Sequence, residues 1–146
     1  MESLSGFLNA MAGRASRLSD AYYVLGGAAS STLALQKRRI FADGLRPDGT
    51  EIGTYSPEYL QRRKKEFNRT GTRVILTATA QMRNDYTVLY GAGFVGLGFQ
   101  NPFNAQKAKK NETRYRAELF SLSDKERATL LELIEKRVKD VLLGLT

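Results

Sequence analysis

Apolar residues near the start of the chain recur at steps of three and four. Leu18, Tyr22, Leu25, Ala29 and Leu33 line one side of a helix whose composition extends from Leu4 to Phe41. Gly26 and Gly27 interrupt it, and each costs about 1 kcal/mol relative to alanine in a helix interior. The pair predicts a kink, or two helices in succession. Lys37, Arg38 and Arg39 fall in the last turn, where cations oppose the negative helix end, and Gly44 reads as the C-terminal cap, so the helix ends near Ala42. The same period returns at the other end of the chain. Leu130, Leu131, Ile134, Val138, Val141, Leu142 and Leu145 form one stripe, opened by Ser123-Asp124-Lys125-Glu126, which fits a capping box.

Between these helices the pattern changes. Arg46-Pro47-Asp48-Gly49 is a turn, and Ser56-Pro57-Glu58 starts a helix with serine as N-cap and proline in the first helical position. That helix runs through YLQRRKKEF and stops before Gly71. Arg62, Arg63, Lys64 and Lys65 occupy consecutive positions and so spread around it, which predicts a helix lying largely on the surface. After the apolar run Val74–Leu76, TATAQMRND suits a turn or two of helix. Tyr86 to Tyr90 and Phe94 to Phe99 read as antiparallel strands joined at Gly91-Ala92-Gly93, and Pro102 ends the pairing because it cannot donate to a ladder. NAQKAKKNETRYR reads as a short exposed helix or loop, and Ala117 to Leu122 as a candidate third strand. The expected fold is α+β: one domain over residues 1–146, with a small antiparallel sheet centred on the hairpin and packed against long N- and C-terminal helices.

Composition narrows the function. The 146 residues include no cysteine and no histidine, which removes disulfides, thiolate metal sites, cysteine nucleophiles and every Ser-His or HExxH scheme. No apolar run approaches the roughly 20 residues of a membrane span, and MESLSGFLNAMAGR lacks the basic-then-apolar order of a secretory signal. The expectation is a soluble chain made in the cytoplasm. The net charge is +8, and all of it comes from two stretches, Leu35 to Ile75 and Asn104 to Glu118. A concentrated basic surface suits a nucleic acid or an acidic protein partner.

Three motifs compete as chemistry. Gly91, Gly93 and Gly96 satisfy G-x-G-x-x-G, but a dinucleotide site also needs a helix opening on the later glycines. Leu97, Gly98, Phe99 and Pro102 leave no room for one, so the glycines serve a hairpin and no cofactor is expected. Asp43, Asp48 and Glu51 cluster in sequence as a metal or hydrolytic site would require, yet the turn explains them. Glu126, Glu132 and Glu135 read as the solvated, mixed-charge face of the last helix. No catalytic residue and no metal ligand is assigned. Arg62, Arg63, Lys64 and Lys65, with Tyr55, Tyr59 and Phe67 nearby, form the candidate DNA or partner surface. Tyr90, Phe94, Gly96, Gly98 and Phe99 form the candidate subunit contact, because Gly96 and Gly98 share a face with Phe94 and leave it nearly bare.

The order of these elements carries a resemblance. A helix ends in Arg39-Ile40-Phe41-Ala42-Asp43-Gly44, and a turn with Asp48-Gly49 follows, then a basic helix opened by Tyr55-Ser56-Pro57. Leu76-Thr77 and Gln81-Met82-Arg83-Asn84-Asp85-Tyr86 precede the hairpin, and Arg116-x-x-Leu119-Phe120-x-Leu122-Ser123 leads into the last helix. Over roughly residues 33 to 143 this order resembles the tailed-phage virion morphogenesis proteins, the neck and tail-completion factors. The resemblance implies a non-enzymatic structural protein that assembles in the host bacterial cytoplasm as a ring, of six-fold or related symmetry, at the head–tail junction or tail top of the virion. It further implies portal or adaptor and tail-tube or tail-terminator proteins as neighbours, with DNA passing through. A basic DNA-binding accessory protein is the alternative reading.

Overall fold

The computed structural model describes the backbone of residues 4–144 and the side chains of residues 19–144, so Leu18 and Leu145 of the two expected stripes lie outside the described side chains. Helix α1 (Leu4–Arg38) leads into a π-helical turn, Arg39–Asp43. Then follow α2 (Pro57–Phe67), α3 (Gln81–Asp85), β1 (Tyr86–Gly91), β2 (Phe94–Phe99), α4 (Pro102–Tyr115) and α5 (Asp124–Leu142). The fold is α+β, with the β1–β2 hairpin packed against the long N-terminal and C-terminal helices.

Local signals account for most of the boundaries. Ser56 accepts a hydrogen bond from the Tyr59 backbone N–H with Pro57 just inside α2, and Asn101 caps α4 in the same way ahead of Pro102. Ser123 and Glu126 complete the reciprocal capping box that opens α5. At the end of the π turn, Gly44 adopts φ 64° and donates its N–H to the Arg39 carbonyl. A Cβ at Gly44 would also press into the Val74 carbonyl oxygen. Gly44→Ala is therefore expected to destabilise by more than the roughly 1–2 kcal/mol of a left-handed φ alone, read as a lower urea midpoint.

Two expectations change. Helix α1 runs unbroken through Gly26 and Gly27, because the pair serves close packing rather than a kink: a Cβ at Gly26 would meet the Tyr90 hydroxyl at 2.5 Å, and one at Gly27 would collide with the Arg137 guanidinium. Ala117–Leu122 is not a strand. Its carbonyls are taken by side chains instead of a ladder: Arg39 donates to Leu119 and Ser121, and Gln36 donates to Phe120 and Ser121. Among the described residues the sheet has two strands.

The register pairs Tyr86 with Phe99, Val88 with Leu97 and Tyr90 with Val95 on one face, and Thr87 with Gly98, Leu89 with Gly96 and Gly91 with Phe94 on the other. The first face points inward except at the tip, where Tyr90 is exposed. Tyr86 packs with Ile40, Phe41, Met82 and Ala108, joined by Leu97, Phe99 and Phe120. A second cluster, Ile52, Tyr55, Val74 and Leu119, lies under α2, and Leu76 and Phe120 belong to both. The hydroxyl of Tyr86 donates to Gln36 at 2.7 Å, and burial pushes its phenol well above the usual tyrosine range.

Candidate assembly surfaces

The hairpin projects its tip beyond the core. Tyr22 of α1 ties it down by donating its hydroxyl proton to the Gly91 carbonyl and accepting from the Gly93 N–H, and Gly93 holds φ 79° in the turn. Tyr90 and Phe94 flank that turn with 60% and 56% of their surfaces exposed. Side chains of the same chain cover most of the outer face around the glycines. The Phe94 ring lies over Gly91, and a Cβ at Gly98 would meet Leu89 at 2.7 Å. Among the described residues Gly96 keeps open space above it, with the Phe94 ring edge at 3.9 Å as its nearest neighbour. The face expected to be bare is thus an apolar surface of Leu89 and Phe94 with one gap at Gly96. Phe99 faces the other way, its ring 4.9 Å from Tyr86 and 5.1 Å from Phe120, so it belongs to the core and not to a contact.

No strand lies beside the outer edge of β1 or of β2 among the described residues. An edge without a strand neighbour is where a strand from another chain can add to a sheet. Further apolar residues are exposed elsewhere. Phe103 is 73% exposed at the start of α4, and Leu131, Val138 and Leu142 of the expected α5 stripe stand in solvent. Their partners on α5, Leu130 and Ile134, face α1 across a shared cavity. The stripe is wider than one neighbouring helix can cover, which the period alone does not reveal.

The basic helix divides. Arg62, Lys64 and Lys65 are exposed, and Arg62 is engaged by Glu66 one turn on at 3.0 Å. Arg63 departs from the expected surface: it is 1% exposed, with its guanidinium 4.1 Å from the centre of the Tyr55 ring. The consecutive cations point around the whole helix, so one of them must face inward, and the aromatic ring of Tyr55 receives it. Arg39 is likewise not a solvated last-turn cation. It forms a buried two-point ion pair with Glu126, at 2.7 and 3.2 Å, which removes Glu126 from the solvated acidic face. Glu135 keeps the expected role, paired with Lys139 at 2.8 Å, and that ammonium holds its carboxyl below the usual carboxylate range.

The acidic turn also resolves into separate pairs. Asp43 lies 3.6 Å from Arg38 and Glu51 lies 2.8 Å from Arg73, while Asp48 accepts from the Thr50 hydroxyl and backbone N–H. Those two hydrogen bonds favour the ionised form of Asp48 and lower its pKa. Among the described residues no three acidic side chains converge on a point where a metal ion could sit, and no helix is long and apolar enough to cross a membrane. Gly91, Gly93 and Gly96 lie in the turn and strand of the hairpin, and no helix begins there. No family model, curated protein or solved structure matches this chain.

Proposed function

We propose that this chain is a structural protein of a tailed-bacteriophage virion, a neck or tail-completion component that joins head and tail by assembling as a ring. The observation that carries the reading is the hairpin: among the described residues neither strand has a second strand partner, and Tyr90 and Phe94 are exposed at its tip. A ring needs head-to-tail contacts that close on themselves, and strand edges of opposite position on one molecule provide them. The order of elements over residues 33 to 143 supports the same assignment through its resemblance to the virion morphogenesis proteins. The neighbours proposed are portal or adaptor proteins on one side and tail-tube or terminator proteins on the other. The seat of the protein is then the virion neck or tail top.

A second reading, a DNA-binding accessory protein, is favoured by the exposed cations Arg62, Lys64 and Lys65. Co-sedimentation separates the two. A ring component sediments with portal or tail proteins of its own particle, and Lys64→Glu with Lys65→Glu leaves that co-sedimentation intact unless the partner face is acidic. An accessory protein instead binds free duplex DNA with a steep salt dependence, which the same double substitution lowers by roughly two units of log-log slope. Tight duplex binding without co-sedimentation would reject the structural reading.

A further inference from the structure

A cavity of about 360 Å³ opens between α2, α3 and α4, walled by Arg62, Arg63, Lys107 and Arg114 with Tyr59 and Tyr115. Among the described residues no aspartate or glutamate lines it. Arg62 is already engaged by Glu66, and Lys107 donates only to the neutral Gln81 side chain at 3.0 Å. Arg63 and Arg114 have no ion-pair partner among the described residues. Arg63 is the telling member: it is almost wholly buried, and its Nε and Nη1 are enclosed with no hydrogen-bond acceptor. A guanidinium stays charged in such a place, and Arg63 borders the cavity, so its buried charge attracts an anion there. Below it, Tyr55 offers a ring face, which accepts the cation but not its in-plane N–H groups.

The geometry points to an anion site at which the accessible Arg114 and Lys107, backed by the buried charge of Arg63, hold the phosphate group of a small ligand. Several unneutralised cations and no carboxylate favour a dianion over a single carboxylate. The cavity volume falls at the small end of ligand pockets. Tyr59 and Tyr115 form walls on which a planar group could stack, so the phosphate arrives either as the free ion or on a nucleotide. This site is separate from the glycine-rich hairpin and stands independently of the assembly reading. The signal in the sequence was Lys107, Asn111 and Arg114 at steps of four and three, a polar stripe on α4 that faces the cavity.

Calorimetric titration of the full chain with inorganic phosphate, and separately with a deoxynucleoside monophosphate, tests it. At least one probe should bind saturably at one site per chain. Arg114→Ala, at an exposed position, should weaken binding by about tenfold or more, and Arg63→Met should abolish it. Lys65→Ala, outside the cavity, should leave affinity unchanged. Tighter binding of the monophosphate means that the tyrosines hold the base, and equal affinities mean that the phosphate alone is recognised. Absence of saturable binding by both probes, or full affinity in Arg114→Ala, overturns the site, whether or not Arg63→Met folds.

Discussion

Glu126→Ala is expected to lower the unfolding free energy by about 3–5 kcal/mol, the cost of leaving a buried charge without its partner. Arg39 has its side chain 10% exposed and Glu126 has 4%, and the guanidinium also donates to the carbonyls of Leu45, Leu119 and Ser121. Glu126 in turn accepts from the Ser123 N–H at 2.8 Å, so its loss removes half of the capping box as well. The pair therefore joins the end of α1, the irregular 119–121 segment and the first turn of α5. Since whole domains are stable by only about 5–15 kcal/mol, the variant should be marginal near body temperature. Urea unfolding followed by circular dichroism measures this. Replacing both partners, with Arg39→Met and Glu126→Leu, should cost less than Glu126→Ala alone, because no charge is then stranded. A loss below about 1 kcal/mol for Glu126→Ala would mean that water reaches the pair and that it does not anchor the two helices.

Phe94→Asp should abolish self-assembly while leaving the monomer folded. The ring is more than half exposed and rests on Gly91, so the monomer loses little when it is replaced. In a subunit contact the same position becomes desolvated, and a carboxylate there would be buried without a partner. Tyr90→Ala and Phe94→Ala are expected to be milder, each weakening assembly by about 2 kcal/mol, the usual scale for an aromatic anchor at an interface. Sedimentation velocity at matched concentrations reads the loss, and thermal unfolding controls for the fold. Phe99→Ala should behave oppositely: its ring packs against Tyr86 and Phe120, so it should destabilise the monomer by about 3–5 kcal/mol.

What could be read from the sequence was whatever is decided within one turn of chain. The Ser56-Pro57 start, the Ser123 and Glu126 capping box and the Gly44 cap each depend on residues three to five positions apart, and each stands where its pattern put it. The hairpin was legible for the same reason, since Tyr86 to Phe99 contains both strands and their turn. The role of a charge is not legible where its partner is remote. Arg39 and Glu126 lie 87 positions apart, and locally each looks like a solvated helix residue. Arg63 sits among three exposed cations and turns inward only because Tyr55 waits beneath it. Gly26 and Gly27 look like helix breakers until Tyr90 and Arg137 are brought against them from elsewhere in the chain. Of the candidate contact residues, Phe94 lies on the outer face, Tyr90 shares the inner face with Phe99 but stands exposed at the hairpin tip beyond the core, and Phe99 is packed within it.

The decisive measurement is the mass of the purified chain by light scattering, alone and then with candidate portal and tail proteins. A closed multimer that forms on or with a partner and is lost in Phe94→Asp is the expected result. A chain that remains monomeric in every mixture and binds free duplex DNA tightly would contradict it.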